Sequence, residues 1–459
     1  MIESILVVPF WSQSGGINWD SNYAYLRKIL PIMADEHPNS VWTMLFPQQS
    51  KRKNWKWYDD NLFDHPRINR YPFPYASSMR QGVMTWDPER LKEIEYYIAP
   101  TIFWLHQVEM GVYLKGGYAQ SFTPYQSLVA QHHYIIHPSL PYPIDTMFNR
   151  RWMQMGGSLA SQKVVCNSQH TKTMMVEAFG EYLSNYQMEE LDKKTEVLKF
   201  GLVENPPKPK KYNKPVILYN HRFENYKQPK VTAKVINELK KEKLDFEVWV
   251  SQYADQKLNL LPVDKIVGHP DYNIYMENIA YPAINTINST HETFCISILD
   301  SMSVGHIIVA PKGVTFVELL PEDYPYLFKN EKEQFNMIKE IINNFTEIYE
   351  KWSIKLIERA KKEFGLIPYC KKYNKLLNEN SPKLKSCKPK EKTKKGLDLV
   401  AESLNKPIAI YDLVREIHKK TGTASQAMSS ARVVTEMTMR GMKMDIRMVK
   451  QKPTLVIKP

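Results

Sequence analysis

The chain has 459 residues, 43% hydrophobic and 12% aromatic, enough for two or three packed domains and too much for a disordered protein. Its formal charge of +13 is unevenly placed: residues 382–396 hold seven Lys and one Glu, and residues 397–459 hold eleven Lys and Arg against six Asp and Glu. Thus +11 lies beyond residue 381 and the body is nearly neutral, an asymmetry that points to a polyanionic partner. No apolar run reaches the length of a membrane span. Met1–Ser4 lacks the basic start and long apolar region of a signal peptide. Cys166, Cys295, Cys370 and Cys387 show neither metal nor disulfide spacing, which suits a reducing cytoplasm.

In chain order, Ile5–Pro9 reads as a buried strand, followed by a polar turn with Gly15 and Gly16 and a helix capped by Asp20 or Ser21 and running through Ala34. A Gly-rich turn after the first strand suits a doubly wound sheet with its ligand at the strand C-termini. Val41–Leu45 is a strand. Asn54–Asp60 interleaves Trp55, Trp57 and Tyr58 with basic residues, a pattern that stacks bases or packs locally on a surface loop. Pro100–His106 and His132–His137 read as strands that each end in His, and Lys163–Cys166 as another, with a helix from Thr171. His137 is the best-placed of these histidines for a direct role, and His106 and His133 are weaker candidates. A His at a strand end is also a common structural residue.

Leu198–Val203 closes a first domain, and the Pro- and Lys-rich run Asn205–Lys211 links it to a second α/β series. There, Val216–Tyr219 is a strand that ends in Asn-His-Arg-Phe-Glu-Asn-Tyr-Lys-Gln-Pro. Arg222 and Lys227 fall five residues apart just after it, a fork donor and an ammonium able to neutralise a diphosphate. Helices over Val231–Lys241 and Tyr272–Ala280 alternate with strands over Phe246–Ser251, Lys265–Gly268 and Ala283–Ile287.

The next stretch, Asn288–Glu318, carries the most chemistry. Asn288–Thr290 offers N-cap residues, Phe294, Ile296, Ile298, Leu299 and Met302 give a helix of roughly three turns, and Gly305 ends it before the strand Ile307–Ala310. Glu292 and Asp300 are eight residues apart, about 800° of helix, so both fall on one face. Carboxylates beside a helix N-terminus can hold a ligand with an anionic middle and hydroxylated ends, as in a nucleotide sugar. The plainer reading is an amphipathic helix with two solvated carboxylates.

This spacing resembles that of retaining glycosyltransferases of the GT-B architecture, in the family that includes sucrose and trehalose-phosphate synthases. There a Glu, seven residues, a second Glu, a Gly-ended helix and a further Glu recur, matched here by Glu292, Asp300 and Glu318. Asp300 is one methylene shorter than the usual residue, and Cys295 stands where Gly is common. The Arg222-to-Lys227 spacing also matches. The wording around it, and His137-Pro138-Ser139-Leu140-Pro141, are similar to queuosine-tRNA mannosyltransferases; bacteriophage DNA glycosyltransferases share the architecture. The resemblance implies that Arg222 and Lys227 stabilise the leaving diphosphate. It implies that Glu292, with Thr293 and Phe294, holds the sugar, and that Asp300 holds the ribose. Glu318, His137 and the Gly15-Gly16 loop would complete the cleft. It implies a sugar nucleotide such as UDP-glucose as donor, no permanently bound cofactor and no metal.

The expected fold is α/β: two doubly wound Rossmann-like domains, 1–204 and 214–381, facing across a cleft. The second includes helices over Phe335–Lys361 that cross back over the first. A Lys-rich linker, 382–396, and a small basic α+β module, 397–459, would follow. In that module Ile408–Lys419 and Ala424–Met442 read as helices and Ile446–Val449 with Leu455–Ile457 as a hairpin. The expected acceptor is nucleic acid bound through this segment, either hydroxymethylated pyrimidine in bacteriophage DNA, which would place the enzyme in a host cytoplasm, or tRNA. Cell-envelope or lipid-linked sugar transfer, and a non-catalytic nucleic-acid-binding protein on the same scaffold, are the other readings.

Overall fold

The computed structural model describes residues 3–9, 21–38, 40–47, 65–73, 94, 98–117, 126–138, 144–212, 214–251, 259–269 and 271–381. It also describes 408–409, 412–413, 415, 443–449 and 452–458. The Gly15-Gly16 loop, the aromatic run 54–60, the Lys-rich stretch 382–396 and residues 424–442 lie outside the described residues.

The first sheet is built from β1 (Glu3–Val8), β2 (Ser40–Pro47), β3 (Ile68–Phe73), β4 (Ile102–Leu105), β5 (Ser127–His132), β6 (Lys163–Cys166) and β7 (Thr195–Val197). Their order is β3-β2-β1-β4-β5-β6-β7 and every pairing is parallel. Around it run α1 (Ser21–Glu36), α2 (Met110–Gly117), α3 (Ile144–Ala160), α4 (Gln169–Gly180) and α5 (Asn185–Lys194). The inner strands are short apolar runs buried on both faces, as a parallel sheet covered by helices requires; β4 and β5 are buried along their whole length, while the edge strands β3 and β7 are partly exposed.

The second sheet comprises β8 (Val216–Tyr219), β9 (Glu247–Val250), β10 (Lys265–Ile266), β11 (Ile284–Thr286), β12 (Ile307–Pro311) and β13 (Leu327–Phe328), in the order β10-β9-β8-β11-β12-β13, again all parallel. Its helices are α6 (Pro229–Lys241), α7 (Tyr272–Ile279), α8 (Ile296–Ser303), α9 (Phe316–Leu319), α10 (Glu331–Asn343), α11 (Phe345–Glu363) and α12 (Leu366–Glu379). In each sheet the strand order reverses once, beside β1 and β4 in the first and beside β8 and β11 in the second. Ligands of open parallel sheets bind outside the strand C-termini at such a point.

The helix that returns to the first domain is α12, beyond the stretch Phe335–Lys361 expected to cross, whose helices α10 and α11 pack on α6 and α8 of the second domain. Val203 forms a parallel bridge with Gly365, and α12 packs against α1. Trp104 Nε1 donates to Tyr373 Oη at 2.9 Å, Tyr373 Oη donates to Gln131 at 2.7 Å, and the hydroxyls of Tyr25 and Tyr369 meet at 2.5 Å. A Cβ on Gly201 would collide with Tyr369 and the Gly365 carbonyl, so the chain can cross here only with glycine.

Three sequence expectations are corrected. The strand placed at His132–His137 is β5, five residues earlier; the buried run Leu128–Ala130 forms it, while Ile135 and Ile136 are buried outside any strand. The helix of the acidic stretch is α8, two turns long. Asn288–Thr290 do not cap it, because the Ser289 hydroxyl and the Thr290 N–H and hydroxyl bond the Tyr226 carbonyl instead. Ile408 and Ala409 are a strand, β14, not a helix start. β14 pairs with β16 (Lys452–Lys458), which forms an antiparallel hairpin with β15 (Lys443–Val449). The hairpin was expected, but it lies against β3 and β2 of the first sheet. Among the described residues, no helix is long and apolar enough to cross a membrane.

Candidate active site

The two loops at the reversal point of the second sheet supply the site. The loop after β8 closes in a short 3-10 turn, Asn225–Lys227, which stands before α6 and brings Lys227 inward. The loop after β11 runs from Ile287 to Cys295 and carries Glu292. The bonds from Ser289 and Thr290 to the Tyr226 carbonyl tie the two loops together.

Lys227 Nζ and Glu292 Oε1 form an ion pair, with both residues only 8% exposed. Burial alone would lower the Lys227 pKa, but the Glu292 carboxylate more than offsets it and holds the ammonium charged. Arg222 lies within electrostatic reach of Glu292 and donates to Tyr226 Oη at 3.1 Å. Behind them, buried His221 accepts or donates at 2.9 Å to Ser297 Oγ, and burial and then Lys227 keep its ring neutral. Cys295 is buried beside the pair, its thiol pushed up to about 11 by burial and then by Glu292. Two opposite charges, an Arg fork and a neutral imidazole at the strand ends of a parallel sheet can exchange their mutual contacts for an anion and a set of hydroxyls.

Asp300 does not share a helical face with Glu292, because Glu292 precedes α8 and Asp300 lies within it. Asp300 is buried, accepts from Tyr272 Oη at 2.7 Å, and faces Lys28 of α1. Burial raises its pKa, opposed by Lys28 and Tyr272. The Lys28 ammonium sits 3.6 Å from the centroid of the Tyr272 ring, so the first domain reaches this acid. Tyr272 and Lys28 were missed in the sequence, where nothing distinguishes them from an ordinary helix tyrosine and a solvated lysine.

Three residues assigned to donor binding have partners at the domain junction. Phe294 is buried between Phe200 and Phe364, at 5.0 and 6.1 Å between ring centroids. Thr293 Oγ1 donates to the His133 carbonyl at 2.6 Å, and its own carbonyl accepts from Ser168 Oγ at 2.7 Å and Thr171 Oγ1 at 3.1 Å. Glu318 gives both carboxylate oxygens to the first turn of α4, accepting from Gln169 N at 2.8 Å and His170 N at 2.6 Å. An acid at a helix N-terminus is the favourable placement for its charge.

His137 pairs with Glu177 of α4 at 3.4 Å. The histidines ranked lower are the more deeply placed. His106 Nδ1 and His133 Nε2 meet at 2.7 Å, with Asn22 Nδ2 3.3 and 3.1 Å away, at the strand C-termini of the first sheet. Burial lowers both pKa values, with His133 further lowered by His132 to about 3. Among the described residues, no group of three His, Cys, Asp or Glu is placed to hold a metal ion.

No protein-family model matches the sequence, and no curated protein matches it. Solved structures do. A sucrose-phosphate synthase from Thermosynechococcus elongatus superposes with a TM-score of 0.62 at 12% identity, over 82% of this chain and 98% of its own. The N-terminal domain of Candida albicans trehalose-6-phosphate phosphatase gives 0.56 at 11%, over 83% and 97%. A glycosyltransferase from Rickettsia africae gives 0.55 at 15%, over 84% and 99%. At these identities the likeness concerns the fold, and it spans both sheets: the chain has the two-domain GT-B fold.

Proposed function

We propose that this chain is a retaining glycosyltransferase that moves a hexose from a nucleotide-sugar donor, a UDP-hexose, to a nucleic-acid acceptor. The observation that carries the reading is the buried Lys227–Glu292 pair beside Arg222 on the strand-end loops of the second sheet. Three of the solved structures with this fold are a sucrose-phosphate synthase, a trehalose-6-phosphate phosphatase domain and a glycosyltransferase, two of them named for sugar transfer or synthesis. In the Lys227–Glu292 pair each charge satisfies the other. When the donor enters, its diphosphate takes over Lys227 and Arg222, and its sugar hydroxyls take over the Glu292 carboxylate. The bond from sugar C1 to the diphosphate oxygen breaks with its electron pair on the diphosphate. The acceptor hydroxyl oxygen bonds C1 and gives its proton to the departing diphosphate oxygen. Stabilising the departing charge with preplaced cations is the main catalytic task.

The acceptor rests on charge: the last 78 residues carry +11. Hydroxymethylated pyrimidine in bacteriophage DNA is the favoured acceptor. The wording around Arg222 and Lys227 supports queuosine-type tRNA as the second reading. A cytoplasmic site of action follows from either. Calorimetry with UDP-, GDP- and ADP-sugars tests the donor, and binding of none of them would end the proposal. Mass spectrometry of nucleosides from DNA and tRNA incubated with the bound donor then identifies the acceptor.

A further inference from the structure

The loop that presents Glu292 is held by the other domain. Thr293, the next residue, is fixed from both sides by the first domain: its hydroxyl to the His133 carbonyl, and its carbonyl to Ser168 and Thr171. A second tie runs in parallel. Glu318 occupies the first two free N–H groups of α4, and its own carbonyl accepts from Lys199 of the first domain at 3.4 Å and from Arg359 of α11 at 3.1 Å. Both ties end on one short segment, Ser168–Thr171. Ser168 is itself the N-cap of α4, accepting from Thr171 N. The N-cap of one domain and the carboxylate loop of the other are therefore a single hydrogen-bonded unit. Ser168 and Thr171 are fully buried there, and Thr293 is 8% exposed.

We propose that Thr293 and Glu318 are positioning residues: with Ser168 and Thr171 they latch the second domain onto the first, and through that contact they set the place of Glu292. The inference rests on the sugar-transfer reading for its catalytic consequence, but the latch itself is independent of any donor. Closing the cleft fixes the Thr293 carbonyl and hydroxyl, and so fixes the peptide that leads directly to Glu292. Opening it releases the loop and leaves Glu292 tethered only through Lys227 and the Tyr226 carbonyl contacts.

The test uses the full chain with fluorophores on Glu189→Cys in α5 and Asp323→Cys after α9, both exposed positions, and with Cys387→Ser to remove a competing thiol. The parent should give one interdomain distance without ligand. Thr293→Val, which keeps the shape and removes the hydroxyl, and Glu318→Gln, which removes the charge, should each broaden and lengthen it. Thr293→Ser should restore the parent distance. In the same variants donor affinity should fall about tenfold, since only the closed fraction binds fully, while the melting temperature stays near the parent value. A distance unchanged in both Thr293→Val and Glu318→Gln overturns the latch. A changed distance with unchanged donor affinity overturns its role in positioning Glu292. If the parent binds no sugar nucleotide, the proposed function fails, and the distance measurement still decides the latch.

Discussion

The Lys227–Glu292 pair makes a prediction that separates stability from catalysis. Lys227→Met removes the counter-charge of a carboxylate whose side chain is 9% exposed, while the Lys227 side chain itself is 10% exposed. Breaking a buried pair from one side costs about 3–5 kcal/mol, because a buried charge is left uncompensated. In a domain of about 150–250 residues each kcal/mol is worth about 2–4 °C, so the melting transition should fall by about 6–20 °C. Lys227→Met with Glu292→Gln removes both charges and should recover most of that loss. Turnover should not recover: both variants should stay roughly a hundredfold to a thousandfold below the parent, the scale for losing a transition-state charge partner. Scanning calorimetry and hydrolysis of the bound sugar nucleotide provide the two readouts. A double variant as unstable as the single one would show that uncompensated charge is not what the pair relieves. Turnover that returned together with stability would reduce the pair to a structural role.

Asp300→Glu pushes a methylene into a buried site against Tyr272 and should cost about 1–3 kcal/mol, read as a lower denaturant midpoint; a midpoint equal to the parent's would mean that this side of α8 is open. His132 and His133 are buried and neutral, their pKa values lowered by burial to about 4 and about 3, and the His106 value is lowered too. The unfolded chain binds protons from about pH 6.5 downward, so the stability they contribute is full above that pH and lost as pH falls toward 4, by about 1.4 kcal/mol per pH unit for each His. Denaturant titrations at pH 7 and pH 5 should differ accordingly, and equal midpoints would contradict the burial. Changing the seven Lys of 382–396 to Gln should flatten the salt dependence of nucleic-acid binding by about 0.9 log units per decade for each phosphate no longer neutralised, with donor binding untouched. Gel shifts at several salt concentrations measure this, and an unchanged slope would remove the charge argument for the acceptor.

What was legible in the sequence lay within single strand–loop–helix units. β1, β2, β6, β8 and β12 announce themselves as short apolar runs bounded by turn residues. The placement of Arg222, Lys227 and Glu292 on strand-end loops was legible for a related reason: the loops after β8 and β11 lie at the reversal point of a parallel sheet. Two misplaced elements were those in which a side chain or a strand backbone answered a distant partner. Ser289 and Thr290 look like caps for α8 but bond to Tyr226, and Ile408 looks helical but pairs with Ile457. A deletion at residue 382 would therefore remove a piece of the fold as well as charge, because the hairpin it discards lies against β2 and β3.

The contacts that escaped the sequence share one property. Thr293 and Ser168 are 125 residues apart, Glu318 and Gln169 149, and Tyr25 and Tyr369 344. No periodicity relates such positions, and each member has an innocent local reading: Ser168 as an N-cap, Glu318 as an acid in a short helix, Thr293 as a neighbour of the acid that matters. Once two sheets face each other, however, their strand-end loops must meet, and buried polar groups at that meeting must find partners in the opposite domain. The short hydroxyl and carboxylate side chains that flank Glu292 and α4 satisfy this requirement directly. A carboxylate placed by its own loop alone would keep its position in an open cleft. Under the proposed latch Glu292, tied in its own domain to Lys227 and through Ser289 and Thr290 to Tyr226, gains its final placement from a neighbour bonded to the first domain on two sides.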